Sequence, residues 1–253
     1  MKIVVIGGTG LIGSKLVNRL NMSGHTILAA APGLGINTLT GEGLYDAVKE
    51  AEVVVDVSNF PMPEGKAVMD FFQRSTINLV TAEAYAGVKH HIALSIVGAD
   101  RLPDSIYFRA KVAQEEIIKE SGIPYSILRS TQFFELAERI ANESTVCDEV
   151  HISPAAIQPV AADEVVQTLT DIIMGKPLNA ITEIAGPVLM PMSEFIRYYM
   201  NTTEDWRQLV EDEHAFYFGT ELNEQSLVPG EKARLGRIKY EDWFTRQIIN
   251  ETY

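Results

Sequence analysis

Lys2-Ile3-Val4-Val5-Ile6-Gly7-Gly8-Thr9-Gly10-Leu11-Ile12-Gly13 stands at the start of the chain. The apolar run up to Ile6 is a buried strand by length and β-branching. After the glycines, Leu11, Ile12, Leu16, Val17 and Leu20 recur at helical spacing until Gly24 stops the helix. A strand, a glycine turn and a helix N-terminus in that order form a cradle for a dinucleotide. Gly7 permits the tight turn, Gly10 lets the backbone approach a pyrophosphate, and Gly13 lets the helix pack close to the strand. Thr9, Leu11 and Ile12 complete the turn, where free amides and the helix dipole hold phosphate.

The same alternation continues outward. Strands are expected at Thr26–Ala31, Val53–Val57, Ile92–Ser95 and Tyr125–Leu128, with helices at Leu44–Ala51, Lys66–Ala86 and Ile106–Glu120 between them. Five or six such units make a doubly wound parallel α/β sheet. Beyond about residue 130 the pattern loosens. A helix over Val165–Met174, a strand at Ile181–Ala185 and a helix Glu194–Met200 capped by Ser193 are still expected. The last fifty residues mix aromatics with charges. We read 1–253 as a single Rossmann-type domain whose part from roughly 130 to 253 is a small substrate-binding lid.

The 253 residues are 46% hydrophobic and 22% charged, an ordinary globular composition. A formal net charge of −13 repels polyanions, which argues against nucleic acid and against anionic lipid as partners. The one cysteine, Cys147, allows no intrachain disulfide and no thiolate metal cluster. The apolar N-terminus is too short for a signal peptide, and no run reaches the ~18 apolar residues of a membrane span. A cytoplasmic protein acting on a small molecule, as monomer or homodimer, is the expectation.

The G-x-x-G-x-x-G spacing resembles the extended and atypical branches of the short-chain dehydrogenase/reductase superfamily. Thr76-Ile77-Asn78-Leu79-Val80 is similar to the T-x-N-L-L stretch of its extended members. Ile123-Pro124-Tyr125-Ser126-Ile127-Leu128-Arg129 is similar to the I-P-Y-T-I-L-R strand of the NmrA-like group. The resemblance covers about residues 1 to 185. It implies an NAD(P)-binding Rossmann fold, with Asp56-Val57-Ser58-Asn59 passing the adenine ribose, so that Ser58 and Asn59 join the cofactor site. At the end of the second strand, Ala30-Ala31-Pro32 offers neither the acid that hydrogen-bonds ribose hydroxyls nor the arginine that takes a 2′-phosphate. With no repelling carboxylate beside Ala31, backbone amides of the Gly33–Asn37 loop favour NADP, and NAD stays open.

Tyr107 and Lys111 form a Y-x-x-x-K pair that shares one helix face, and Ser95 precedes them by twelve residues at the end of a strand. The family places its Ser, Tyr and Lys in this order. A lysine ammonium stabilises a phenolate, so Tyr107 would serve as general acid to a carbonyl oxygen while Ser95 hydrogen-bonds the same atom. Lys111 would also hold the nicotinamide ribose. Extended members carry a relay asparagine four residues before the T-x-N threonine; here that position is Phe72. Phe60, Phe133 and Phe134, with Met62 and Met190 or Met192, are candidates for a substrate pocket. Asp163 and Glu164 read as helix-capping acids, and His90-His91 as a surface pair unsuited to a metal, so no metal site is expected. Two functions follow from the resemblance: an oxidoreductase for a small, largely apolar carbonyl or alcohol, or a dinucleotide-binding redox sensor without turnover.

Overall fold

The computed structural model describes residues 1–60 and 65–251, so Met62 lies outside the described residues. In chain order the first half contains β1 (Lys2–Ile6), α1 (Leu11–Asn21), β2 (Thr26–Ala30), α2 (Leu44–Val48), β3 (Val53–Asp56), α3 (Lys66–Ala86), β4 (His90–Ile96), α4 (Ile106–Glu120) and β5 (Tyr125–Ser130). The second half adds α5 (Ala137–Glu143), β6 (Thr145–Val146), β7 (Glu149–Ile152), β8 (Ala156–Ile157), α6 (Ala162–Met174), β9 (Ile181–Ala185) and β10 (Met190–Pro191). After these come α7 (Met192–Thr202), β11 (Gln208–Glu211), β12 (Arg234–Leu235) and α8 (Tyr240–Glu251). Seven strands form a parallel central sheet in the order β12-β9-β5-β4-β3-β1-β2.

The chain divides into two compact units. Met1–Arg129 with Val165–Thr182 forms one, and Ser130–Glu164 with the chain from Glu183 onward forms the other. The division after Arg129 falls where the strand–helix alternation of the sequence loosens.

In the first unit β1 is flanked by β2 on one side and β3 on the other, with Ile6 in register with both Ala30 and Asp56. The chain leaves β2, makes one 3-10 turn at Pro32–Leu34 and the short α2, and returns directly beside β1. Strand order therefore reverses at β1, and in open α/β sheets a ligand crevice lies at such a reversal, outside the carboxyl ends of the strands. The strands are short apolar runs because both faces are covered. Val4, Ile6 and Val54 pack with Leu44 and Val48 of α2 and Leu79 and Ala82 of α3, all at most 6% exposed. Helix α3 ends at Gly87, whose φ of +70° is the left-handed cap that glycine takes without strain.

In the second unit β6, β7 and β11 make a small sheet and β8 pairs with β10. The expected cap at Ser193 is corrected: α7 starts at Met192 behind Pro191, and Ser193 is buried within its first turn. Pro191 supplies the fixed φ that opens a helix, which moves the start back. Phe134 is packed against Tyr240 and Trp243, with ring centroids 5.1 and 5.7 Å away, and Phe195 stacks on the same Tyr240. Phe134 and Met192, both 2% exposed, are thus core residues of this unit and not pocket-lining groups. Phe133 is half-buried, bridged to Val160.

Candidate dinucleotide site and catalytic set

The glycine turn is shaped by contact on three sides. The Gly7 and Gly8 amides both donate to the Ala30 carbonyl, at 2.9 and 3.1 Å, which ties the turn to the end of β2. Gly7 has φ +78°, and a Cβ there would stand 2.8 Å from the Ser58 backbone. A Cβ on Gly13 would meet the Gly7 carbonyl oxygen at 2.1 Å. Gly8, which the motif alone does not single out, is equally constrained: its Cβ would lie 2.8 Å from the Cβ of Ala29.

Gly10 differs. The nearest atom to a Cβ there is the Gly7 oxygen at 3.4 Å, so the protein's own packing does not demand a glycine. Gly10 precedes α1, whose first helical bond runs from the Ser14 amide to the Gly10 carbonyl at 2.9 Å. The amides of Leu11, Ile12 and Gly13 come before that bond, and the first turn carries no acid. Open space at Gly10 in front of three helix-start amides fits a pyrophosphate.

On the other side of the turn, the expectation of a phosphate-holding loop at 33–37 is corrected. Leu34 and Ile36 donate to the Ala31 carbonyl, Gly35 to Pro32, and Asn37 to Glu42. Four of the five amides of this loop, those of Leu34 to Asn37, are thus taken up within the loop itself and are not available to a 2′-phosphate. Ala31 is extended, with φ −158°, and buried. Asn78 of α3 holds the loop from beneath, donating to the carbonyls of Thr38 and Leu39.

The loop after β3 joins this turn to α4. Asp56 accepts the Ser58 amide at 2.9 Å, which bends the chain so that Ser58 meets Gly7. The next residue, Asn59, accepts the Tyr107 hydroxyl at 3.2 Å through Oδ1. Tyr107 is 8% exposed. Its ring meets Phe72 at 6.0 Å, edge to face, and the series continues through Phe71 to Phe60 at 5.2 Å each.

Phe72, at the relay-asparagine position, presents its ring to both members of the Y-x-x-x-K pair. Lys111 Nζ stands 4.6 Å from its centroid. The same ammonium donates to the Leu94 carbonyl at 2.9 Å and to Gln114 Oε1. Burial pushes the Lys111 pKa down to about 8, against the raising influence of Asp56 and Glu115. Ser95, one residue beyond Leu94, is 6% exposed, and its hydroxyl is buried with no hydrogen-bond partner among the described residues.

Other ionisable groups brace this arrangement. Arg129 makes a two-pronged contact with Glu115, 2.9 and 2.7 Å, and a third to Asp100 at 3.0 Å. The surface reading of His90-His91 is corrected, since both lie inside β4 at 3% and 0% exposure. Alternation sends them to opposite faces of a covered strand. His90 bonds Ser126 at 2.8 Å, and burial with help from His91 lowers its pKa to about 4. His91 meets both Glu83 oxygens at 2.9 Å. Burial raises Glu83; it opposes protonation of His91, but the Glu83 and Asp56 carboxylates together outweigh it and raise His91 as well. Among the described residues no group of three or more His, Cys, Asp or Glu side chains is placed to hold a metal. No described helix is long and apolar enough to cross a membrane.

Solved structures share this fold. A dTDP-4-dehydrorhamnose reductase orthologue from Clostridium acetobutylicum superposes with a TM-score of 0.75 over 99% of this chain and 100% of its own, at 12% identity. The Bordetella bronchiseptica enzyme WbmG in complex with NAD gives 0.72 over 100% and 94%, at 16% identity. The Bacillus anthracis dTDP-4-dehydrorhamnose reductase in complex with NADP gives 0.67 over 83% and 84%, at 15%. The chain shares the Rossmann-type α/β fold of these structures. The resemblance read from the glycine spacing is thereby borne out at the level of this NAD(P)-binding fold. No family model matches the chain. By sequence it is similar to the photosystem II assembly factor Ycf39 of Synechocystis sp., 24% identical over 149 residues, and to that of Cyanophora paradoxa, 25% identical over 149 residues. Each alignment covers 53% of this chain and 46% of the relative, so the chain spans about half the length of the curated relatives it matches.

Proposed function

We propose that this chain is an NAD(P)-dependent oxidoreductase for a small, largely apolar carbonyl or alcohol, with Tyr107 as general acid/base. One observation carries the reading: Gly7 packs on Ser58, and the adjoining Asn59 accepts the Tyr107 hydroxyl, so glycine turn and phenol share one connected crevice edge. The amides of Leu11, Ile12 and Gly13 would hold the pyrophosphate, with Gly7, Thr9 and Gly10 forming the turn, Ala31 and Ser58 beside the adenosine half, and Asn59 between that half and Tyr107. A bound nicotinamide supplies the hydride. Tyr107 then delivers a proton to the carbonyl oxygen, and the unspent hydroxyl of Ser95 is a donor for that oxygen. Lys111, four residues on along the same helix face, would stabilise the phenolate as an ammonium and hold the nicotinamide ribose. Phe60 lines the substrate side of this loop.

Fluorescence titration with NADPH and NADH measures the cofactor site before any substrate is known. Against a carbonyl panel, Tyr107→Phe should abolish turnover while leaving cofactor Kd unchanged. A Tyr107→Phe protein as active as wild type would overturn the role.

A redox sensor without turnover is the second reading. It is favoured by the Lys111 ammonium being taken up by Leu94, Gln114 and the Phe72 ring, and by the assembly-factor name of the curated relatives. A sensor should bind partners differently with NADP and NADPH; identical behaviour with both removes it.

A further inference from the structure

Three buried polar side chains stand in line behind Tyr107. Asp56, Gln114 and Lys111 are 2%, 2% and 3% exposed. Gln114 Nε2 donates to Asp56 Oδ2 at 2.9 Å, and its Oε1 accepts from Lys111 Nζ. The chemistry admits one orientation, because a carboxylate only accepts and an ammonium only donates. Asp56 Oδ1 is engaged by the Ser58 amide, so the line runs from the loop beside Gly7 to the amine on α4.

We propose that Gln114 is a positioning residue of this site: a neutral spacer between Asp56 and Lys111 that aims the amine at Tyr107's side of α4 and keeps a carboxylate from pairing with it directly. The inference rests on the oxidoreductase reading for its purpose, and on the hydrogen-bond line for its substance. The surroundings of Nζ are otherwise poor in charge. α3 contributes the Phe72 ring, β4 the Leu94 carbonyl, and Tyr107 shares the helix face. Glu115, on the same helix, is held by Arg129 of β5. Glu83 of α3 and His91 of β4 interact with Asp56, while the charges that act on the amine are those of Asp56 and Glu115. A buried ammonium with its counter-charge held one amide away loses its proton more easily than a free lysine, which is the direction Lys111 takes. Glutamate at position 114 would set a carboxylate directly on Nζ and a second one beside Asp56.

The test is an NMR titration of full-length protein labelled with 13C-lysine, with the Lys111 signal assigned by its loss in Lys111→Met. Wild type should titrate well below free lysine. In Gln114→Glu the midpoint should rise by about one pH unit or more, a tenfold gain in proton affinity. Asp56→Asn, which removes the remote carboxylate, should lower it, and it provides the comparison if Gln114→Glu fails to fold. A Lys111 midpoint that is unchanged in both variants, or that matches free lysine in wild type, overturns the proposal. The readout needs neither cofactor nor turnover, so an absence of carbonyl reduction would count against the oxidoreductase reading without touching it. If turnover is found, the kcat pH profile should shift upward with the lysine in Gln114→Glu. A fixed profile beside a shifted lysine would overturn the link to catalysis.

Discussion

Two glycines three residues apart should fail in opposite ways when each becomes alanine. At Gly13 the new methyl would meet the Gly7 carbonyl oxygen at 2.1 Å and the Gly8 Cα at 2.8 Å, both backbone atoms that no side-chain rotation can move. The start of α1 must lift away from the turn by more than an ångström. Overpacking of that kind costs about 1–3 kcal/mol, and for a chain of this length each kcal/mol lowers Tm by roughly 2–4 °C. At Gly10 the methyl meets the Gly7 oxygen at 3.4 Å, an ordinary contact, and the backbone φ of −78° suits alanine. A poorer N-cap and a less flexible unfolded chain offset one another, so stability should change by less than ~1 kcal/mol. The methyl instead fills the approach to the helix-start amides. Losing one charge-assisted hydrogen bond, about 2 kcal/mol, raises Kd roughly 30-fold. Thermal unfolding and NADPH fluorescence titration on the same preparations separate the two effects. A Gly10→Ala protein with wild-type Kd would refute the placement of the pyrophosphate, and a Gly13→Ala protein with wild-type Tm would refute the packing.

Arg129→Met should cost about 3–5 kcal/mol in urea unfolding, because Glu115, 1% exposed, would be left without its cation; a loss below ~1 kcal/mol would contradict this. Lys111 should make stability depend on alkaline pH. Its folded pKa of about 8 lies below the ordinary 10.5, so across that window the unfolded chain holds a proton that the folded one has shed. Stability from this group therefore rises with pH by up to about 1.4 kcal/mol per unit and is complete above the unfolded value. The difference between wild type and Lys111→Met should show that slope, and parallel curves would exclude it. Ala31→Asp should weaken NADPH relative to NADH by about tenfold or more, through repulsion of the 2′-phosphate; an unchanged ratio would mean that the ribose lies away from the end of β2.

The first half of the fold is legible because its elements carry their own punctuation. Helix α3 runs from Lys66 to a Gly87 cap and α4 ends before Gly122, where the apolar spacing puts them. Two misreadings share one cause. His90-His91 and the 33–37 amides are polar groups whose partners lie far along the chain or are made by the local turn, and hydropathy does not register either. His91 is inside because Glu83 meets it from α3. In the sequence Asp56 reads only as the start of the ribose-passing stretch and Gln114 carries no reading, although an acid closing the run Val53-Val54-Val55 and a glutamine three residues after Lys111 on the same helix are signals of a buried bridge. Beyond Ser130 the strands β6, β8, β10 and β12 have two residues each, too short for any alternation to show. The aromatic residues of α8 read as a mixed tail until Phe134 and Phe195 are seen packed on Tyr240.

The direct return from β2 to β3 also determines what the protein shows to its neighbours. With no strand outside it among the described residues, β2 is a margin of the sheet. Thr26 and Ala30 turn their backbone groups inward, to Met1 and Gly7, and the alternation along a strand puts Leu28 with them. The outward backbone polar groups of the strand are therefore those of Ile27 and Ala29. Open backbone groups on two residues are what this margin offers to an edge-to-edge partner.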